Sequence, residues 1–205
     1  IKALRQLHLE FPLPGLMDGW PHNSADLLGF AFGSEGPGSL LAQLKAEGLA
    51  TSLGAGAQSA TRQYGAFELQ IGLTPQGLKD YPRVLQLVFA TAQLWRQQGL
   101  PPHLFKERQT LAKLDERYRD KGEGGNLAAG LASALMDYPL DVAERVPFLW
   151  LREDPAAFQA LLSHVVPDNL LVTLVAKGLP TDKTEPVYGT RYSYTVDAGP
   201  AYAAL

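Results

Sequence analysis

Leu7, Leu9, Phe11 and Leu13 alternate with Gln6, His8, Glu10 and Pro12, so this segment has one apolar and one polar side. A period of two predicts a half-buried strand, and the Pro12/Pro14/Gly15 cluster marks its end. Phe67, Leu69, Ile71 and Leu73 alternate with Ala66, Glu68, Gln70 and Gly72, which predicts a second such strand over Tyr64–Leu73. The small, glycine-rich run 50–57 predicts a strand just before it. Residues 170–176 are almost uninterruptedly apolar and read as a strand covered on both faces.

Between these runs the period lengthens to that of a helix. Asn23 or Ser24 can cap a helix carrying Leu27, Leu28 and Phe30 that breaks at Gly33. Pro37 suits a first helical position ahead of the stripe Leu40, Leu41 and Leu44, which Gly48 stops. Thr74 caps a long helix opening at Pro75. Leu78, Tyr81, Leu85, Val88, Ala92 and Trp95 carry it to Gly99, with a bend expected at Pro82, where a backbone donor is lost. Pro101 and Pro102 open a helix through Tyr118, striped by Leu104, Leu111 and Leu114. A flexible link, 122–125, precedes a small-residue helix with Leu127, Leu131 and Leu135. Asp154 and Pro155 start a short one with Phe158, Leu161 and Leu162, and the tail beyond Gly178 reads as extended. Strands grouped apart from helices predict an α+β fold, a mostly antiparallel sheet with helices packed on one face. Neither an internal repeat nor a long polar linker divides residues 1–205, so a single domain is expected.

Composition narrows the chemistry. With 205 residues and 46% apolar content, a substantial core is affordable. The net charge of −3 argues against a nucleic-acid partner. The basic residues from Lys106 to Lys121 are interleaved with Glu107, Asp115, Glu116 and Asp120, the mark of a solvated helix face with local pairing. Absence of cysteine excludes disulfides, thiolate metal sites and cysteine nucleophiles. No apolar run approaches the roughly 20 residues that cross a bilayer, and no membrane partner is expected. The chain opens at Ile1 in strand-like sequence without a charged and apolar leader, as an excised part of a longer polypeptide would.

Catalytic candidates fail in turn. A zinc hydrolase needs two histidines one helical turn apart plus a carboxylate. His8, His22, His103 and His164 contain no such pair. His8 and Glu10 share a strand face, and His103 and Glu107 read as an exposed pair one helical turn apart. Ser39 lacks the second glycine of a nucleophile elbow, and the glycine run 33–38 lacks the lysine of a phosphate loop. No catalytic and no metal-binding residue is assigned. The glycine-rich segment 53–57 leaves its backbone approachable. It can take a peptide as an added strand, or it can pack closely against a helix or form a bulge.

Several segments bear a family likeness in a fixed order. They are Glu35-Gly36-Pro37-Gly38-Ser39-Leu40-Leu41 within 33–48, Leu73-Thr74-Pro75-Gln76-Gly77-Leu78, Phe105-Lys106-Glu107-Arg108, Tyr138-Pro139-Leu140-Asp141-Val142, Val165-Val166-Pro167-Asp168-Asn169, and Glu185-Pro186-Val187-Tyr188-Gly189-Thr190-Arg191-Tyr192. From Leu7 to Tyr192 the chain resembles the pitrilysin/insulinase family of zinc metallopeptidases. The family's His-x-x-Glu-His motif is missing, so the resemblance is to the second domain, which binds no zinc and is inactive.

The resemblance implies an α+β domain that forms part of a chamber wall and anchors peptide substrate. Carried over by position, the anchoring residues are Gly33, Glu35, Leu53, Ala55 and Ala57. Ala55 stands where insulin-degrading members have glycine, and Ala57 where they have a larger polar residue. Zinc is then expected in a separate domain or chain, and that zinc-bearing domain or subunit is the expected partner. Two other settings share the resemblance: a scaffolding non-catalytic subunit of a heteromeric processing peptidase, and part of a cofactor-maturation peptidase. Bacterial periplasm and cytoplasm both stay open.

Overall fold

The computed structural model describes residues 4–120 and 122–196. In chain order its elements are β1 (Arg5–Pro14), α1 (Ser24–Phe32), α2 (Leu40–Ala46), β2 (Ala50–Ser59), β3 (Tyr64–Leu73), α3 (Pro75–Lys79), α4 (Tyr81–Gln98), α5 (Pro102–Tyr118), α6 (Gly124–Ala134), α7 (Pro155–Leu162), β4 (Leu171–Ala176), β5 (Lys183–Thr184) and β6 (Arg191–Tyr192). The two alternating runs lie side by side, with Leu7 opposite Ile71, Leu9 opposite Leu69 and Phe11 opposite Phe67. That register puts their apolar residues on one face, where all six are fully buried. β2 flanks β3 and β4 flanks β1, giving an antiparallel sheet in the order β2-β3-β1-β4. The fold is therefore α+β.

Helices pack on the apolar face. Leu28 and Phe32 of α1, Val84, Leu85 and Val88 of α4, and Phe158 of α7 share one core with the strands. Ring contacts tie the layers together: Phe32 lies 5.2 Å from Phe67 and 4.7 Å from Trp95, centroid to centroid. The opposite face carries Gln6, His8, Glu10, Glu68 and Gln70, and there His8 Nε2 meets Glu68 Oε2 at 3.3 Å.

Several sequence expectations change. The helix expected from Pro75 to Gly99 is two helices that turn a corner at Asp80. Pro82 falls in the first turn of α4, where its missing N–H costs nothing, so it starts a helix instead of bending one. Thr74 does cap α3, accepting from the Gly77 N–H at 2.9 Å. α2 begins after Ser39, whose hydroxyl accepts from the Ala42 N–H at 3.1 Å, and Pro37 stays in the preceding turn. Asn23 precedes α1 but caps nothing, because its amide donates to the Leu149 carbonyl. β4 is an edge strand with one open face, and Leu171 and Val175 are 47% and 44% exposed. On α5 the buried residues are Leu104, Phe105 and Ala112, while Leu111 and Leu114 face solvent. α6 buries none of its side chains. The tail folds back as the β5–β6 ribbon.

The charges on α5 find partners nearby, Glu116 with Arg145 and Arg119 with Glu144. His103 and Glu107 are both exposed, with no hydrogen bond between them.

One ion pair makes the fold acid-sensitive. Both Glu47 carboxylate oxygens accept from Arg83 of α4, each at 2.9 Å. The hydrogen bonds from Arg83, helped by Gln43, hold the Glu47 carboxyl at about 2 against an ordinary 4.5. Because the folded value is depressed, the stabilisation is complete above 4.5 and is lost as pH falls toward 2. Glu47→Gln should flatten the melting temperature profile within that window and leave its slope above it unchanged. Thermal melts across the acid range check this.

Candidate functional site

Among the described residues β2 pairs with β3 alone, so its other side is a free edge. Hydrogen-bond alternation tells which backbone groups point there. At the hairpin mouth the Ala60 N–H donates to the Tyr64 carbonyl at 3.0 Å. Along an antiparallel ladder, bonded and non-bonded pairs alternate, which makes 58/66, 56/68 and 54/70 the bonded pairs. Two side chains agree: Thr51 Oγ1 donates to the Gly72 carbonyl from the β2 side, and Arg5 Nε donates to the Leu73 carbonyl from the β1 side. Leu53, Ala55 and Ala57 therefore turn N–H and C=O away from β3.

The side chains of these three residues do not face solvent. Opposite Ile71, Leu69 and Phe67, they point toward the helical layer, with Leu53 buried and the two alanines half-buried against the core. What they offer a ligand is backbone.

α1 comes down onto this strand through two glycines one turn apart. A Cβ on Gly29 would stand 3.0 Å from the Gly56 Cα, and one on Gly33 would stand 3.0 Å from the Gly29 carbonyl oxygen and 3.7 Å from the Ala55 Cβ. Larger residues would push the helix away. Without side chains there, a slot stays open between α1 and the outward-turned backbone. It has a volume of about 340 Å³ and is lined by Asp26, Phe30, Gly33, Leu53, Ala55 and Arg108, among others. That size lies within the range of small ligand pockets.

Arg108 reaches the slot from α5. Its Nε lies 2.9 Å from Asp26 Oδ2, its Nη1 lies 3.8 Å from Asp115, and its guanidinium sits 5.5 Å from the centre of the Trp150 ring. The arginine is thereby held in one place.

Of the residues expected from the sequence, Gly33, Leu53 and Ala55 meet in the slot. Glu35 is exposed in the turn after α1 and Ala57 lies farther along β2, so neither lines it. Sequence reasoning missed Asp26, Phe30 and Arg108. Asp26, Phe30 and Gly33 share a helix face by their spacing, a signal that was available. Arg108 stands 82 residues from Asp26 and left no local signal.

Among the described residues, no group of three or more His, Asp and Glu side chains is placed to hold a metal ion. A zinc ion does not fit the donor sets of the described residues, where His8 and Glu68 form only a pair. Nor is any described helix long and apolar enough to cross a membrane.

Residues 2–111 match the peptidase M16 inactive domain, and residues 117–196 match the middle or third domain of peptidase M16. The changeover falls inside α5. The chain is 29% identical to the A-factor-processing enzyme of Saccharomyces cerevisiae and 31% identical to the insulin-degrading enzyme of Homo sapiens, with 94% of the chain aligned in each case. It spans only 19% of either relative, about a fifth of their length. The fold superposes on pitrilysin with a TM-score of 0.89, covering 98% of this chain and 22% of that one at 20% identity. A likeness at that identity speaks for the fold.

Proposed function

The chain belongs to the M16 peptidase family, matching its inactive domain, and from that premise we propose that it holds peptide without cutting it. An extended peptide lies beside β2 as a fifth strand, through the slot at Leu53 and Ala55 and beyond it at Ala57, bonded to the outward N–H and C=O groups of all three. The peptide's amino end lies toward Gly33 and Glu35. The cutting belongs to a zinc-bearing domain or subunit elsewhere in the parent enzyme. This domain forms part of the wall that encloses the substrate.

The observation that carries the reading is the free edge itself. Unpaired strand edges are templates for pairing, and folded proteins cover or charge them. Here the edge is uncharged from Leu53 to Ala57, and Gly29 and Gly33 present no side chain toward it. Strand addition draws its affinity from main-chain hydrogen bonds. It is therefore compatible with alanine at positions 55 and 57.

Hydrogen exchange tests it directly. In the free chain the amides of Leu53, Ala55 and Ala57 should exchange faster than those of Gly54 and Gly56, which are bonded to β3. Adding a ten-residue alanine–serine peptide with a free amino terminus should slow the first three by about tenfold or more and leave the two glycines unchanged. Unaltered exchange at all three would overturn the proposal.

A further inference from the structure

Main-chain hydrogen bonds cannot distinguish one peptide sequence from another, so any selectivity of the slot must come from its walls. Two charged residues line it, Asp26 and Arg108, paired at 2.9 Å. They are unequally available. The Arg108 side chain is 21% exposed, shared with Asp115 and laid over Trp150, whereas the Asp26 side chain is 50% exposed and has Arg108 as its ion-pair partner. Two carboxylates thus share one guanidinium, and of the pair that lines the slot Asp26 is the more open to an arriving charge.

A strand laid beside β2 covers this wall and displaces the water that screens it, which strengthens whatever charge interaction the peptide brings. A carboxylate arriving here meets Asp26 beside an arginine already occupied. An ammonium or guanidinium meets the half-open Asp26. Like-charge contact in an interface is a strong means of rejecting wrong partners.

Resting on the strand-addition reading, we propose that the Asp26–Arg108 pair sets the charge preference of the slot. It selects peptides with lysine or arginine where the added strand passes the pair, and it disfavours aspartate and glutamate at that place.

The test steps lysine, and separately glutamate, through positions 1 to 6 of the alanine–serine peptide, each with a free amino terminus and a fluorophore at the carboxyl end. Fluorescence anisotropy with the full 205-residue chain gives the affinities. One position should bind lysine about tenfold tighter than glutamate, with a smaller ratio at high salt. Asp26→Asn should reduce that ratio below about twofold, and Arg108→Gln should widen it; melts of both variants establish that they fold. Equal affinities for lysine and glutamate at every position, with the parent peptide still bound, overturn the charge selection and leave strand addition standing. A lysine preference that survives Asp26→Asn overturns it as well. Failure of every peptide to bind overturns both.

Discussion

Proline at position 55 should cut peptide affinity by about thirtyfold or more while shifting the melting temperature by no more than about 3 °C. The Ala55 N–H points to the free edge, so proline there removes no bond of the β2–β3 ladder. It does remove a donor that an added strand needs, and its ring occupies the path of that bond. An unpaired buried acceptor costs about 1–3 kcal/mol, and each 1.4 kcal/mol is tenfold in affinity. Proline at the neighbouring position should do the reverse. Gly54 is a bonded partner of Gln70, and a Cβ there meets nothing within 4 Å, so Gly54→Pro isolates the loss of one ladder bond. That substitution should cost about 1–3 kcal/mol for the acceptor left unpaired, a fall of about 2–12 °C in a chain of this size. Melting curves and peptide titrations of the two variants check both halves. Equal destabilisation by the two prolines would mean that the outward-facing backbone groups have been assigned to the wrong residues.

Where one face of an element met water and the other the core, the sequence announced it. Leu7 to Leu13 and Phe67 to Leu73 alternate because β1 and β3 are central strands with helices on one side only. Position in the sheet was harder to read. Residues 170–176 are as apolar as a doubly covered strand, yet β4 is an edge with Leu171 and Val175 exposed, because composition reports hydrophobicity and not which neighbours supply the cover. The corner at Asp80 was hidden for a related reason: Leu78, Tyr81 and Leu85 keep helical spacing across it, so the stripe ran on while the axis changed. Leu111 and Leu114 likewise continue the stripe of α5 beyond the point where the core ends.

At the slot, the segment 53–57 allowed either close helix packing or an approachable backbone, and the structure shows the close packing. Close packing brings Gly29 against Gly56 and the Ala55 carbonyl, and among the described residues no further strand pairs with β2 on that side. Asp26 and Arg108 could not be joined from the sequence, because their contact exists only once α5 lies against α1.

The largest loss of stability should follow Phe67→Ala, about 3–5 kcal/mol by the usual cost of deleting a buried aromatic ring. Phe67 is fully buried between Phe11, at 6.1 Å, and Phe32, at 5.2 Å. Its partner across β2 is Ala57, whose methyl group cannot fill the space, so little collapse is available and the upper half of the range is expected. The consequence reaches the slot. α1 is seated on the sheet by the Gly29 approach to β2 and by Phe32 on Phe67, and the substitution removes the second support. Peptide affinity should therefore fall in Phe67→Ala even at temperatures where the chain remains folded. Phe67→Leu, which keeps most of the volume, should lose about 1.5 kcal/mol and retain binding. Leu111→Ala, at a side chain 41% exposed, should stay within about 0.5 kcal/mol. Urea denaturation of the three variants gives the energies, and anisotropy with the parent peptide gives the affinities. If Phe67→Ala destabilised the chain yet bound peptide as the unaltered protein does, the seating of α1 would not matter to the slot, and the peptide would have to be held by the strand edge alone.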